Sequence, residues 1–287
     1  MKICFVGLHK YWGGINNSGG SKTIIKSAEA LRKLGHKVDI AAVNDRHTWV
    51  KHPPIIHKIP KGTDVAIANS VSDIDIVLKS KAKRKFWWCR GIVKWQMPKD
   101  KIMKKAKKIS VIVNATHLLK HFPKAKVCYA GLDLDFWGTK PWLELKNTIG
   151  FMKYEKHKTK RNDLMDKLKK KYSTIELNIK GKCNDKELKE LYRSIDIYVA
   201  PTELEGFHNV PAEACLCGCL IVCNRRDSNG MGDYATDETA MRYTGWDELL
   251  EAIENPNFSK VAKMQKLLKE KIGNREKNMK RFVRLIK

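Results

Sequence analysis

The first 43 residues alternate between strand-like and helix-like patterns, and few folds accommodate that alternation. An apolar run at 2–8 leads into a Gly- and Asn-rich turn at 13–20. Apolar residues then recur at helical spacing over 24–34, Gly35 follows, and a second apolar run occupies 38–43. A strand, a glycine-rich turn, a helix and a second strand form a βαβ unit. The chain therefore predicts an α/β fold with helices packed on a parallel sheet.

The same alternation continues in two series. Short apolar runs lie at 65–68, 86–88 and 111–113, and a second succession of strand and helix patterns runs over 148–223. Gly and Pro residues punctuate the region 137–146 between the series, so we place a domain boundary there. The predicted divisions are Rossmann-like domains at 1–140 and 145–265 and a basic C-terminal helix at 266–287.

Composition argues against a disordered chain and against an integral membrane protein. Hydrophobic residues make up 43% of the 287 residues, which is enough for a packed core. No apolar run approaches the ~18–20 residues that a spanning helix requires. The run at 2–8 is too short for a secretory signal and is typical of a buried strand. Eight cysteines without such a signal predict reduced thiols and a cytoplasmic protein, in the host cytoplasm if it is viral.

Charge is concentrated in three segments. The chain has 57 Lys and Arg against 31 Asp and Glu, a net charge of +26. Three segments, 79–108, 153–171 and 260–287, carry +12, +6 and +9. Such segments attract nucleic acid, anionic lipid or acidic glycan. The alternative, lysine-rich helices that are merely solvated, stays open for each segment.

One loop carries the clearest chemical pattern. Residues 201–214 follow a predicted strand and open a predicted helix, with Asn209 as its N-cap. The N-terminus of such a helix presents free N–H groups to a phosphate. Glu205 and Glu213, eight residues apart, can face one cleft and accept hydrogen bonds from sugar or ribose hydroxyls. Alternatively, Glu213 stabilises the helix dipole and Glu205 is a solvated loop charge; spacing alone does not decide between the two.

This loop resembles a known family signature. The pattern from Glu205 to Glu213, continuing through 218–222, is similar to the E-x7-E motif of GT-B glycosyltransferases, especially glycosyltransferase family 4. Other elements resemble that family in the same order along the chain. The first is an N-terminal pattern made of Gly19-Gly20 and residues 35–38, with a predicted helix between them. The others are the segments 130–136, 150–156 and 196–202.

The resemblance implies two Rossmann-like domains facing a central cleft, with the acceptor on the N-terminal side and the nucleotide-sugar on the C-terminal side. It implies retaining transfer that needs no metal and no cofactor beyond the nucleotide-sugar co-substrate. Glu205 would contact the donor sugar, Glu213 the ribose, and Lys156 the leaving phosphate. The further donor-binding residues would be Gly19, Gly20, Gly181, Gly206, Phe207, His208, Asn209 and Val210.

The sequence departs from the family pattern at three places. Phe151 stands where the family has a diphosphate-binding Arg, and Lys153, Lys158 and Arg161 are candidates to replace it. Arg90 followed by Gly stands where the family has His-Gly, so we assign Arg90 a catalytic role. A Gly-Gly loop expected after Cys223 is replaced by 228–232.

Two further patterns resemble metal-binding motifs only weakly. Asp133-x-Asp135 and Asp73-x-Asp75 imitate a metal-binding DxD, a pattern that arises often by chance. The cysteines at 215–223 lack the paired C-x2-C spacing of zinc sites. We therefore expect buried thiols there and no metal site.

The acceptor is inferred from charge. Aromatic and basic residues interleaved in one segment suit nucleic-acid contact, and we expect one tryptophan to be buried and at least one to line the acceptor cleft. The predicted acceptor- or DNA-binding residues are Lys83, Arg84, Lys85, Trp87, Trp88, Arg90 and Lys94.

These residues favour transfer to hydroxymethylated bases in DNA, as in phage genome-modifying enzymes, with the base flipped out of the duplex. Two alternatives stay open. The acceptor could be a lipid or surface glycan at an anionic membrane, with 99–108 as an interfacial helix. The chain could also be a non-catalytic DNA-binding protein on a glycosyltransferase fold. The sugar, the nucleotide and the oligomeric state do not follow from the sequence.

Overall fold

A computed structural model describes most of the chain as two compact units. Unit 1 comprises Met1–Gly131 and Arg275–Lys287, and unit 2 comprises Leu132–Asn274. The chain thus returns to unit 1 at residue 275, whereas the sequence analysis placed its divisions at 140–145 and 265. The described residues are 1–92, 97–138, 145, 147–152, 160–177, 184–225 and 230–287.

Unit 1 is built on a six-stranded parallel sheet in the order β2-β1-β3-β4-β5-β6. This is the sheet that the opening βαβ pattern predicts. Its strands are β1 (Lys2–Gly7), β2 (Lys37–Ala42), β3 (Val65–Ala68), β4 (Arg84–Cys89), β5 (Ser110–Val113) and β6 (Lys126–Val127). Its helices are α1 (Gly19–Lys33), α2 (Ile74–Lys79), α3 (Lys99–Ala106) and, at the end of the chain, α10 (Arg275–Ile286).

Successive residues of the unit 1 strands pack into opposite faces of the sheet. Phe5 and Trp88 belong to one apolar cluster, while Val6 and Trp87 belong to the other. The last helix, α10, completes the first cluster, with the ring of Phe282 4.9 Å from that of Trp88. The C-terminal basic helix therefore packs on the sheet of unit 1.

Unit 2 has a five-stranded sheet in the order β11-β10-β9-β7-β8, and all its pairings are parallel. Its strands are β7 (Ile149–Met152), β8 (Thr174–Leu177), β9 (Ile197–Ala200), β10 (Leu220–Asn224) and β11 (Met241–Tyr243). Its α-helices are α4 (Leu134–Trp137), α5 (Asn162–Lys171), α6 (Asp185–Arg193), α7 (Asn209–Leu216), α8 (Trp246–Glu254) and α9 (Ser259–Leu267).

The cysteines at 215–223 line the interior of unit 2. All four thiols are free and buried, and burial raises the pKa of Cys223 to about 12. Thiols of this kind pack as small apolar side chains and are inert. Among the helices of the described ranges, none combines the length and apolar character that crossing a bilayer requires.

Candidate active site

The loop 201–208 and the start of α7 form the candidate site of unit 2. The loop leaves the carboxyl end of β9, the edge at which open parallel sheets bind ligands. His208 caps α7 with a left-handed φ of 57°. The predicted cap, Asn209, is the first helical residue instead, because the left-handed turn lies one position earlier. The N–H groups of Asn209 and Val210 therefore stand at the helix end that favours anions.

Glu205 lies in this loop and is held by an ion pair. Its carboxylate contacts the ammonium group of Lys160, in the segment before α5. The two side chains are 24% and 22% exposed, so a ligand can still reach them. Lys160 is a site residue that the sequence analysis did not single out, because nothing in its spacing distinguishes it from neighbouring lysines.

Arg161 forms a second set of ion pairs beside the first. Its guanidinium donates to Glu203 at 2.8 Å and to Asp163 at 3.0 Å. The hydrogen bonds with Asp163, and then those with Glu203, hold the Arg161 pKa above its ordinary value. Since this guanidinium is already shared between two carboxylates, it is a poor substitute for the arginine that Phe151 replaces.

Glu213 lies on α7, four residues after its first residue, and its side chain is 4% exposed. A carboxylate so deeply buried needs hydrogen-bonding partners. It also lies beyond the first turn of α7, where the helix dipole has little effect. Its burial suits a group that binds ligand hydroxyls in a site closed to water.

His208 is a buried, neutral side chain next to these charges. Burial lowers its pKa to about 4, while Glu205 raises that pKa and Lys160 lowers it by smaller amounts. The imidazole is therefore uncharged at neutral pH. The carbonyl of His208 accepts a 2.6 Å hydrogen bond from the hydroxyl of Tyr234, which anchors the left-handed turn.

The segment that begins at Gly230 packs against the loop 201–208 and fixes its position. A Cβ atom on Gly230 would lie 1.5 Å from the carbonyl oxygen of Gly206, so only glycine permits this approach. From the end of β10, the side-chain amide of Asn224 donates to the carbonyls of Pro201 and Thr202 at 2.9 and 2.6 Å. No sequence pattern indicates this role of Asn224, because the role depends on β9 and β10 being neighbours.

Several predicted residues lie outside the described part of the chain. They are Lys94, Lys153, Lys156, Lys158 and Gly181, together with residues 228 and 229. Their assignments stay predictions.

The carboxyl edge of the unit 1 sheet brings together Arg90 and the glycines that open α1. Two N–H groups of Arg90 donate to the carbonyl of Gly20 and, at 3.1 Å, to that of Asn69. A Cβ atom on Gly20 would lie 3.4 Å from the guanidinium, whereas Gly19 has open space. Burial lowers the Arg90 pKa to about 10, so the group remains charged at neutral pH.

Polar residues follow three neighbouring strands at this edge: Asn69 after β3, Arg90 after β4 and Asn114 after β5. Each has a buried side-chain atom that finds no hydrogen-bond partner among the described residues, namely Asn69 Oδ1, Arg90 Nε and Asn114 Oδ1. Unsatisfied buried polar groups are costly and mark sites completed by water or ligand. The polar residue after each strand is the sequence signal that could have revealed Asn69 and Asn114.

Trp87 and Trp88 are both buried, so their assignment to acceptor binding is wrong. Their exposures are 2% and 0%. The Trp88 indole donates to the carbonyl of Cys128 at 3.3 Å, and Trp87 packs edge-on against Phe122. The physical reason is that β4 is an interior strand of a parallel sheet, which helices cover on both faces.

Lys83, Arg84 and Lys85 also lie away from Arg90. They stand at the amino end of β4, and Arg90 follows its carboxyl end; a six-residue strand is about 20 Å long. Arg84 donates to the carbonyl of Lys287, and Lys85 donates to that of Leu78 at 2.7 Å. The structure thus does not bring the predicted DNA-binding cations together in one place.

Comparison with known proteins identifies the class to which this architecture is similar. Residues 101–283 match the family model described as glycosyl transferases group 1. No curated protein matches the chain in sequence.

Solved glycosyltransferase structures share the whole fold at low sequence identity. Sucrose-phosphate synthase from Thermosynechococcus elongatus aligns with a TM-score of 0.74 and 14% identity, covering 99% of this chain and 98% of that one. Anabaena HepE in complex with UDP-glucose has a TM-score of 0.70 and 13% identity, with 99% of each chain covered. An alpha-glucosyltransferase in complex with UDP and a 13-mer DNA containing an HMU base has a TM-score of 0.62 and 12% identity. That alignment covers 100% of this chain and 99% of that one. The predicted GT-B fold is confirmed.

Proposed function

The chain belongs to the glycosyl transferases group 1 family, and from that premise we propose that it moves a sugar from a nucleotide-sugar to hydroxymethylated bases in DNA. The observation that carries the proposal is the arrangement at the start of α7. An ion-paired Glu205, a buried Glu213 and the N–H groups at a helix N-terminus occupy one loop and the first five residues of α7. Sugar hydroxyls, ribose and diphosphate need these three kinds of group.

The donor chemistry follows from these groups. Breaking the anomeric bond leaves negative charge on a nucleoside diphosphate, and fixed N–H groups and cations stabilise that charge. Val210, Asn209 and the predicted Lys156 supply them without a metal. Glu205 holds the donor sugar, Glu213 holds the ribose, and transfer retains the anomeric configuration. HepE, a structural neighbour, binds UDP-glucose, so UDP-glucose is the first donor to test.

Charge supports a polyanionic acceptor. Unit 1 contains 33 Lys and Arg against 8 Asp and Glu, a net charge of +25, while unit 2 contains 24 against 23, a net charge of +1. The net charge of the protein therefore resides almost entirely in one unit. A structural neighbour of the same fold binds DNA with an HMU base. Transfer to such a base requires that it leave the duplex stack.

The structure argues against 99–108 as an interfacial helix, on which the membrane alternative depends. Ile102, the main apolar residue of 99–108, is 1% exposed and belongs to the core of unit 1. An interfacial helix must offer its apolar face to lipid, and this helix uses that face for packing. The free, buried cysteines support a protein that works in a reducing compartment.

Thermal stabilisation by a panel of nucleotide-sugars tests the donor assignment. We expect one donor to raise the melting temperature of the wild-type protein and to have a much smaller effect on Glu213→Ala. Transfer of labelled sugar, with excess chelator present, is then compared between hydroxymethylated duplex, unmodified duplex and anionic lipid. Transfer to lipid alone would reject DNA as acceptor, and stabilisation by no nucleotide-sugar would reject the donor class.

A further inference from the structure

The positive charge of unit 1 has a definite position on its sheet. β1 and β2 begin at Lys2 and Lys37, which are paired in register. The residue before β3 is Asp64, whose carboxylate accepts a hydrogen bond from the backbone N–H of Lys2 and pairs with the ammonium group of Lys83. Lysines therefore line the amino edge of the sheet, opposite the carboxyl edge that holds Arg90.

Helix ends add further cations to the same edge. A helix that joins two parallel strands returns the chain to the start of the next strand, so its C-terminus lies at the amino edge. There α2 ends at Lys79, with Lys81 before β4, and α3 is followed by Lys107 and Lys108 before β5. We call Lys2, Lys37, Lys79, Lys81, Lys107 and Lys108 the amino-edge lysines.

The amino-edge lysines are exposed, and in the described part of the chain none of their ammonium groups pairs with a carboxylate. The corresponding edge of unit 2 differs. There Lys169 pairs with Glu176 and Lys171 pairs with Glu254, each at 2.8 Å. One cation at a helix C-terminus is explained by the helix dipole, but unbalanced cations across a whole sheet edge leave a surface that attracts anions.

The size and chemistry of this edge fit duplex nucleic acid. Six strands spaced by about 4.8 Å give an edge of about 24 Å, which is the length of about seven base pairs. Among the described residues, the exposed large apolar side chains are Tyr11, Trp12 and Leu145, and none of them lies at this edge. The described part of this edge therefore lacks the aromatic side chains on which a single strand stacks and the apolar side chains that insert into a membrane, whereas cations alone suffice to bind a duplex backbone.

We propose that the amino-edge lysines form a docking surface for the phosphate backbone of duplex DNA, separate from the site of sugar transfer. The surface holds DNA without regard to its bases. It therefore goes beyond the proposed function, because unmodified duplex, which offers no acceptor, binds to it as well. Its effect on the reaction is to keep a long DNA bound between transfers, while transfer to a short acceptor does not depend on it.

Binding of unmodified duplex as a function of salt concentration tests the proposal. The six amino-edge lysines are changed to alanine, and a smaller variant changes only Lys79, Lys81 and Lys107. A matched control removes the same charge from exposed lysines of unit 2. The control positions are Lys167, Lys170, Lys186, Lys263, Lys266 and Lys269.

Each released phosphate contact flattens the log–log salt slope by about 0.9. We expect the six-residue variant to lose about 3–5 units of slope, the three-residue variant about half as much, and the control less than about 1. Hydrolysis of the nucleotide-sugar should be unchanged in all three variants, which shows that they are folded.

Equal losses in the variant and the control would overturn the proposal, because net charge rather than a surface would then govern binding. A wild-type slope in the six-residue variant would overturn it too, as would binding of phosphatidylserine vesicles that depends on these lysines while duplex binding does not. Failure of the proposed acceptor would look different from failure of the docking surface. Hydroxymethylated duplex would then bind with the expected salt slope but receive no sugar.

Discussion

Lys160 and Glu205 form an ion pair that ties the segment before α5 to the loop before α7. Beside it, Arg161 pairs with Glu203 of the same loop at 2.8 Å. Two consecutive cations thus hold two carboxylates of one loop, at the carboxyl edge of the unit 2 sheet. This double contact fixes the position of the carboxylate to which we assign the donor sugar.

Lys160→Gln should lower kcat by about 10- to 100-fold, because loss of a charged hydrogen bond costs about 1.5–3 kcal/mol. Glu205→Ala should lower kcat similarly with a smaller change in donor KM, since its contact is to the reacting sugar. Steady-state kinetics of both single variants and the double variant check this. The two effects should not add, because each variant breaks the same pair. Wild-type turnover in Glu205→Ala would remove Glu205 from the site.

Glu213→Ala should raise the donor KM by about 10- to 100-fold and change kcat less, because the ribose contact is made equally in the ground and transition states. Calorimetric titration with donor provides the direct measurement. The variant must first show a cooperative melting transition, since Glu213 is buried. Donor affinity equal to that of the wild type would contradict the ribose assignment.

Gly230→Ala should disrupt the candidate site, because the added Cβ would overlap the Gly206 carbonyl. Gly232→Ala is the matched control, since a Cβ there meets nothing within 4 Å. We expect Gly230→Ala to lose donor binding and to be destabilised by about 1–3 kcal/mol, and the control to resemble the wild type. Calorimetry and urea unfolding of both variants test the pair. Similar behaviour of the two would mean that the loops are not packed as described.

His208 should make the protein less stable in mild acid. Its pKa is about 4 in the folded state and about 6.5 in the unfolded chain, so between these values the unfolded state binds more protons. Stability is therefore complete above pH 6.5 and falls as pH drops towards 4. His208→Asn removes the titration and tolerates the left-handed φ. Urea unfolding should show the wild type losing about 2 kcal/mol more than the variant between pH 7 and about pH 5. An identical loss in both proteins would exclude a buried neutral His208.

The sequence predicted the features that depend on local pattern. The βαβ unit at 2–43, the parallel sheets and the loop before α7 follow from apolar periodicity and glycine positions. Local pattern does not predict the burial of Glu213 or the ion pair of Lys160, because the strand order decides which residues meet at a sheet edge. Asn224 reaches Thr202 only because β10 lies beside β9.

The misplaced residues have a common cause. Trp87 was expected near an acceptor because it stands between basic residues, yet alternation along β4 points it into a core. Arg84 and Arg90 are six residues apart in the sequence and lie at opposite edges of one sheet. When a charged segment includes a buried strand, the charges before and after the strand lie at opposite edges of the sheet. A count of charges along the chain does not show this separation.

The proposed reaction moves a sugar from a nucleotide-sugar to a hydroxymethylated base in DNA. The most direct measurement is the mass of the nucleosides released from a hydroxymethylated duplex after incubation with the protein and UDP-glucose or another stabilising donor. We predict a hydroxymethylated nucleoside heavier by one sugar residue, absent with unmodified duplex and strongly reduced with Glu205→Ala. Unchanged nucleosides with every donor that stabilises the protein would contradict it.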